Sequence, residues 1–185
     1  MPKAAILQSD MVRKMVTHDI KADYKLLAVL GEGGYGEVKR GIQKITELDR
    51  AVKIVKKSNL AQEGEKKLMK EIGLVREIDH PNALKILEYY NDSSYLYIVT
   101  EAYTGGTLYE KWINGHKFSE TRIAEITRSV LCTINYMHGQ GIMHRDIKPE
   151  NIMFATPDHD SIVKLIDYGV AMPITRDKTP QKRSG

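Results

Sequence analysis

The chain is poor in cysteine, tryptophan and phenylalanine. Its 185 residues include one Cys, one Trp and two Phe. A single thiol cannot form an internal disulfide, which excludes the disulfide-stapled class of small secreted domains and indicates a reducing compartment. We therefore expect a cytoplasmic protein, with the nucleus as the second compartment that this composition allows.

Long apolar runs and blocks of like charge are also lacking. No stretch approaches the roughly 18 apolar residues that span a bilayer, so we expect no membrane partner. The net charge of +4 is spread along the chain, and the tail at 175–185 is the one basic patch. Because no long block of like charge is present, we expect no nucleic-acid partner.

The first half of the chain is patterned as strands. Residues 1–20 show no strong pattern and are expected to form an extension ahead of the domain. Five short stretches rich in apolar and β-branched residues follow, bounded by glycine or polar turn residues, and they predict strands. These stretches are 24–30, 37–42, 51–57, 83–90 and 95–100. Apolar residues at helical spacing predict one helix over 63–78, which Pro81 terminates.

The pattern becomes helical after Gly105 and Gly106. Ser119 is placed to cap a long amphipathic helix that Gly139 and Gly141 end. The stripe predicted to be buried on this helix consists of Ile123, Ile126, Val130, Ile134 and Met137. Cys132 is expected to be buried as a small hydrophobic residue, and Trp112 to pack at the lobe boundary. An α+β chain of two lobes with a boundary near residues 101–106 is therefore predicted.

A glycine-rich turn separates the first two predicted strands. Gly31, Gly33 and Gly36 form a G-x-G-x-x-G pattern, with Val38 two residues later. Glycines allow backbone N–H groups to approach phosphate oxygens without obstruction. A dinucleotide-binding fold would open a helix after this pattern, whereas residues 37–42 alternate like a strand. A β-hairpin covering phosphates fits better, and an ordinary glycine turn is the remaining alternative.

Two polar clusters later in the chain carry the chemistry. HRDIKPEN contains Asp146, Lys148 and Asn151, and Asp167 follows 16 residues after Asn151, in LIDYG. Such a set suits a reaction with little covalent chemistry, in which phosphate charge is neutralised and a hydroxyl is oriented. Asn151 and Asp167 supply the hard oxygen ligands that Mg²⁺ prefers. Asp146 can receive a hydroxyl proton while Lys148 screens the transferred group.

Together, GEGGYGEV, AVKIV, HRDIKPEN and LIDYG resemble the eukaryotic protein kinase family, serine/threonine type, over residues 24–171. The stretches FSE, INYMH and HRDIKPENIMF are most similar to the calcium-dependent and calmodulin-dependent group. The resemblance implies a two-lobed fold, with a small lobe of five antiparallel strands plus one helix and an incomplete helical lobe. It divides residues 21–185 into a small lobe (21–100), a hinge (101–106), a partial large lobe (107–171) and an activation-segment tail (172–185). Thr179 lies where that segment carries phosphosites, and a flexible basic tail explains it equally well.

The resemblance also assigns roles to individual residues. It implies ATP and Mg²⁺ as cofactors, with Asn151 and Asp167 as the metal ligands. The residues expected to bind the nucleotide are Leu30, Gly31, Gly33, Gly36, Val38, Ala51, Lys53, Thr100, Glu101 and Tyr103. The residues expected to be catalytic are Asp146 as the base, Lys148 as the phosphate-screening cation, and Lys53 with its acidic partner Glu71. Glu65 and Glu77 are rival candidates for that acid. His144 is expected to be structural and to pack against the Asp167 loop.

The chain departs from the family pattern at several positions. Tyr168 stands where the family has phenylalanine, and its hydroxyl must find a partner when buried. Thr107 replaces a glutamate that contacts the ribose in relatives. No A-P-E motif follows Ala171, which predicts a chain that ends inside its activation segment. Without the helices that normally follow, the apolar residues Ile142, Ile147, Ile152 and Leu165 are expected to face water.

These features predict transfer of the γ-phosphoryl group of Mg-ATP to protein serine or threonine hydroxyls. The activity of a chain ending here is left open. The alternative is a non-catalytic kinase-like module that binds nucleotide or a partner. A protein substrate is the expected partner, together with a calcium-sensing regulatory domain or protein outside this chain.

Overall fold

The structure is a computed structural model, and it describes residues 14–16, 18–33, 36–60, 64, 68–69, 72–73, 78–168 and 171–174. Within these ranges the first half of the chain folds around one sheet. The strands are β1 (Lys14–Val16), β2 (Tyr24–Gly33), β3 (Gly36–Gln43), β4 (Asp49–Lys56), β5 (Ile86–Asn91) and β6 (Tyr95–Glu101). Their order across the sheet is β1-β5-β6-β4-β3-β2.

The predicted five-stranded antiparallel sheet is confirmed, and one strand is added to it. Strands β2 to β6 pair antiparallel with their neighbours, whereas β1 pairs parallel to β5 at the edge. No strand is predicted from the sequence within residues 1–20. Three residues that contribute backbone pairing at an edge leave no periodic signal in the sequence.

The alternation of side chains along strands β4 and β6 determines which residues share a face of the sheet. Val52 and Val99 are fully buried on one face of the sheet, in a cluster that includes Tyr24. Because successive side chains in a strand point to opposite faces, Ala51 and Lys53 lie on the other face. The register pairs Ala51 with Thr100, so these residues share that second face.

The helix predicted over 63–78 is described only in part. Residues 64, 68–69 and 72–73 are helical, and Ile72 and Ile78 are buried against the sheet. Leu68 and Met69 pack against the same cluster. Three acidic residues of this helix, Glu65, Glu71 and Glu77, lie outside the described residues.

The second half contains two α-helices, one short 3₁₀-helix (Pro149–Asn151) and four short strands among its described residues. They are α1 (Leu108–Ile113), α2 (Glu120–Gly139), β7 (Ile142–Met143), β8 (Ile152–Phe154), β9 (Val163–Leu165) and β10 (Met172–Pro173). Strand β8 pairs antiparallel with β9, and β10 pairs antiparallel with β7. The predicted cap is confirmed, because Ser119 accepts a hydrogen bond from the Arg122 N–H at 3.1 Å.

Helix α2 buries a narrower stripe than predicted. Ile126, Val130 and Met137 are buried and Ile134 packs against them, but Ile123 is 52% exposed. Thr133 is fully buried instead, and its hydroxyl donates to the Ser129 carbonyl within the helix at 2.9 Å and lies 3.2 Å from His80 Nδ1.

Two other burial predictions are wrong. Cys132 is exposed, because it follows Leu131 on the outward side of α2, opposite the buried stripe. Trp112 is 66% exposed and contacts the ring of Tyr109. It does not pack at the lobe boundary, since short helix α1 turns this side chain outward.

The expectation that four apolar residues face water is wrong for three of them. Ile142, Ile152 and Leu165 are buried in one cluster with residues of α2, and only Ile147 is exposed. Helix α2 covers the short strands from one side, which supplies the burial. No helix in the described part of the chain is long and apolar enough to cross a bilayer.

Candidate nucleotide and phosphoryl-transfer site

A cavity of about 740 Å³ opens between the second half of the chain and the face of the sheet that carries Ala51, Lys53 and Thr100. Most residues expected to bind a nucleotide or a metal line it. These are Leu30, Gly31, Gly36, Val38, Ala51, Lys53, Thr100, Glu101, Tyr103, Asn151 and Asp167. Gly33 ends strand β2, and its position relative to the cavity lies outside what the structure describes.

The glycine-rich turn is the turn of a β-hairpin. Gly33 pairs with Gly36 across the turn, and β3 begins directly at Gly36. The dinucleotide-binding alternative requires a helix at this point, so the strand excludes it. Gly36 has a φ of +149°, and a Cβ there would lie 1.9 Å from the Ile54 carbonyl oxygen. The close approach of β4 therefore requires glycine at this position.

Lys53 and Asp167 meet inside the cavity. Strand β4 presents Lys53 between two buried residues, and Asp167 follows β9 with a φ of +59°. The Lys53 Nζ atom lies 3.5 Å from Asp167 Oδ1. An ammonium group next to a carboxylate at a cavity wall can neutralise phosphate charge and hold a cation nearby.

A second charged cluster lies on the loop between β7 and β8. Lys148 Nζ lies 2.9 Å from Asp146 Oδ2, and Asn151 Nδ2 donates to the same oxygen and to the Asp146 carbonyl, both at 2.8 Å. The Lys148 hydrogen bond lowers the pKa of Asp146, with help from Asn151 and against some desolvation. The same bond raises the pKa of Lys148. At neutral pH the loop therefore presents a carboxylate beside an ammonium group.

His144 is structural, as predicted. It is 2% exposed, its Nε2 contacts the Ile166 carbonyl at 3.3 Å, and its ring meets Tyr168 edge to face. Desolvation lowers the pKa of His144. A neutral buried imidazole of this kind supports the loop that carries Asp167.

The end of strand β6 has its own side-chain network. The Tyr103 hydroxyl donates to Glu101 Oε2 at 2.5 Å, and Lys164 Nζ lies 3.5 Å from the same oxygen. Burial raises the pKa of Tyr103, so its hydroxyl remains a donor. Because Lys164 belongs to β9, this contact links the two sides of the cavity.

Several lining residues were not singled out from the sequence. They include Leu84, Ile98, Glu110, Met153 and Ile166. Alternation from Thr100 could have indicated Ile98. Glu110 lies three residues after Thr107, and the two form a capping box at the start of α1. No local pattern indicates Leu84, which reaches the cavity through tertiary packing.

The donor set fits a magnesium nucleotide. The Asp167 carboxylate and the Asn151 amide line the same cavity, and Asn151 uses its nitrogen for both bonds to Asp146. Its oxygen is therefore the remaining polar atom of that amide, and oxygen is the ligand atom that Mg²⁺ prefers. The apolar walls formed by Val38, Ala51 and Ile98 suit a flat heteroaromatic ring.

Comparisons with known proteins agree with this geometry. The family model described as "Protein kinase domain" matches residues 24–185. Calcium-dependent protein kinase 4 of Plasmodium falciparum is 35% identical over 164 residues, which cover 88% of this chain and 31% of that protein. Calcium-dependent protein kinase 5 of the same organism is 38% identical over 142 residues, or 77% of this chain and 25% of that protein. Calcium-dependent protein kinase 3 of Plasmodium yoelii yoelii is 37% identical over 142 residues, or 77% and 26%. The chain spans about a quarter to a third of the length of these relatives.

Proposed function

This chain belongs to the protein kinase domain family, and we propose that it transfers the γ-phosphoryl group of Mg-ATP to serine or threonine hydroxyls of proteins. The observation that carries the proposal is a pair of charged clusters, of which the first lines the cavity and the second reaches it through Asn151, while Asp146 and Lys148 lie outside the lining. Lys53 with Asp167 forms the first, and Asp146 with Lys148 and Asn151 forms the second. Their geometry suits positioning and charge neutralisation, which account for most of the catalysis in phosphoryl transfer.

In this proposal each side chain has one task. Asp146 is ionised at neutral pH and accepts the proton of the substrate hydroxyl. Lys148, 2.9 Å from that carboxylate, compensates negative charge that develops on the transferred group. Lys53 binds the phosphates on the nucleotide side. Asn151 and Asp167 hold the magnesium ion, which when bound neutralises phosphate charge.

The proposed nucleotide contacts follow the cavity wall. Val38 and Ala51 pack against the adenine ring, and the backbone at Glu101 and Tyr103 is placed to bond its edge. Leu30, Gly31 and Gly36 cover the nucleotide, with Gly33 at the turn above them, and Thr100 limits the depth of the pocket. Glu71 remains the proposed partner of Lys53. The names of the relatives support a calcium-sensing domain or protein as a regulatory partner outside residues 1–185.

The test is phosphate transfer from radiolabelled Mg-ATP to basic peptides that differ only in a serine, threonine or tyrosine acceptor. We expect transfer to serine and threonine, and an Asp146→Asn variant should lose it by a factor of 100 or more, on the order expected for an acid–base group. ATP affinity should stay unchanged in that variant. Asp160→Asn is the matched control, because Asp160 is fully exposed outside the cavity.

Two results would contradict the proposal in different ways. ATP binding without transfer, with parent and Asp146→Asn indistinguishable, would support the non-catalytic module. Absence of ATP binding in the parent chain would remove the nucleotide function as well.

A further inference from the structure

Tyr168 has a buried hydroxyl that the proposed mechanism does not use. Its side chain is 6% exposed, directly after Asp167. The hydroxyl lies 3.1 Å from the Leu84 carbonyl oxygen and 3.3 Å from the Leu165 carbonyl oxygen. Burial raises the pKa of this phenol, so it remains a donor at all physiological pH values. A phenylalanine ring would fill the same space without these bonds.

The two acceptors belong to segments that are already joined to each other. The Leu84 N–H donates to the Leu165 carbonyl at 2.9 Å, and the Leu165 N–H donates to the Asn82 carbonyl at 2.7 Å. Residues 82–84 lead into strand β5, and Leu165 ends strand β9. The Tyr168 hydroxyl therefore attaches its own loop to a point where both halves of the chain meet.

Asp167 needs such support, because its backbone is strained. A φ of +59° is costly for a residue with a Cβ. On the N-terminal side, the Ile166 N–H donates to the Asn151 carbonyl at 2.8 Å. On the C-terminal side, the Ala171 N–H donates to the Tyr168 carbonyl at 2.9 Å, and the Tyr168 side chain reaches Leu84. Between these anchors the Asp167 carboxylate lies 3.5 Å from Lys53 Nζ.

We infer that the Tyr168 hydroxyl is a positioning group, which holds the Asp167 carboxylate toward Lys53 and the cation side of the cavity by bonding the Leu84 carbonyl. This inference rests on the proposed function for its consequence in cation binding, and on the structure alone for the anchoring. Without the hydroxyl, conformations in which the Asp167 loop leaves this position gain population. One neutral hydrogen bond shifts such an equilibrium about five-fold.

The test compares Tyr168→Phe with Tyr136→Phe in the full chain. Tyr136 is the matched control, because its hydroxyl also bonds a backbone group, accepting from the Asp79 N–H at 3.1 Å, and it does not line the cavity. Both variants remove one hydroxyl and keep the ring. A role in stability alone would lower the melting temperature of both.

The first readout needs no nucleotide. Amide hydrogen exchange of Ala171, followed by NMR, should be about five-fold faster in Tyr168→Phe than in the parent. In Tyr136→Phe it should match the parent. An unchanged Ala171 exchange rate in Tyr168→Phe would overturn the anchoring, whatever the nucleotide experiments show.

The second readout is the gain in ATP affinity that Mg²⁺ provides, measured by calorimetry with Mg²⁺ and with EDTA. We expect Tyr168→Phe to reduce this gain about five-fold and to leave the metal-free affinity unchanged. Tyr136→Phe should leave both unchanged. Equal gains in all three proteins would overturn the positioning role. If the parent bound no ATP, the proposed function would fail, while the exchange rates would still decide whether Tyr168 anchors the loop.

Discussion

Gly36 offers a strong test of why the glycine-rich turn has its sequence. A Cβ at this position would lie 1.9 Å from the Ile54 carbonyl oxygen and 3.3 Å from the Val55 Cα, and both are backbone atoms. Strand β4 would therefore have to move. A Cβ at Gly31, in the same motif, would meet nothing within 4 Å. Gly36→Ala and Gly31→Ala each replace one glycine of the motif by alanine. Only Gly36→Ala places a methyl group against the backbone of β4.

The expected cost of Gly36→Ala has two parts. A φ of +149° is unfavourable for alanine by about 1–2 kcal/mol, and separating β3 from β4 costs at least one ladder hydrogen bond, about 1 kcal/mol. The free energy of unfolding should fall by about 2–3 kcal/mol, which corresponds to about 5–10 °C in Tm for a domain of this size. Gly31→Ala should change it by less than about 0.5 kcal/mol.

Thermal unfolding followed by circular dichroism, with urea denaturation as a second measure, tests this difference. If the two variants melted within about 2 °C of each other, a difference of less than 1 kcal/mol, the close approach of β4 would not be what requires glycine. ATP affinity is measured in parallel, because Gly31 belongs to the proposed nucleotide cover. If Gly31→Ala lowered ATP affinity and left stability unchanged, the motif would contact the nucleotide at Gly31 and meet the packing requirement of β4 at Gly36.

Two further predictions concern packing and titration. Phe154 is 1% exposed and stacks on Phe118, so Phe154→Ala should lower the free energy of unfolding, measured by urea denaturation, by about 3–5 kcal/mol. The control Trp112→Ala, at an exposed position, should lower it by less than about 0.5 kcal/mol. Equal losses in the two variants would contradict the observed packing of Phe154. Burial lowers the pKa of His144, so the unfolded chain binds more protons and stability falls as pH drops below about 6.5, by at most about 1.4 kcal/mol per pH unit. His144→Phe should flatten the dependence of stability on pH, whereas His138→Gln, a change at an exposed histidine, should not. If the His144→Phe profile ran parallel to that of the parent, His144 would not be the group responsible.

The sheet could be predicted because its strands carry their signal locally. Stretches 51–57 and 95–100 alternate and are rich in β-branched residues, and glycine or polar turns bound them. Strand β1 could not be predicted, since it exists only through pairing with the edge of β5. A strand of three residues is too short to leave a periodic signal in the sequence.

Burial on helix α2 was harder to predict, because the helix carries apolar residues on more than one side. Ile123 and Leu131 are exposed while Ile126 and Val130 are buried, and helical spacing alone does not decide between these faces. The choice is made by the short strands β7 and β9, which are distant in sequence. The same long-range packing buries Ile142 and Leu165, contrary to the expectation that they face water.

The residues that the sequence proposed for the site are joined to one another by hydrogen bonds that require particular residue types. The Asp146 N–H donates to His144 Nδ1 at 3.3 Å, and Asn151 Nδ2 donates to the Asp146 carbonyl at 2.8 Å. The Ile166 N–H donates to the Asn151 carbonyl at 2.8 Å, and His144 Nε2 meets the Ile166 carbonyl at 3.3 Å. These four bonds close a ring that joins the loop of Asp146 to the loop of Asp167.

The ring holds only if His144 is neutral with its proton on Nε2, because Nδ1 must accept while Nε2 donates. Burial favours that form by lowering the pKa of the imidazole. Two residues next to the ring, Arg145 and Asp167, have φ values of +70° and +59°, and strain of this kind persists only where surrounding bonds determine it. The buried, uncharged histidine is therefore what allows two exposed, charged residues to be held in positions that their own backbones disfavour.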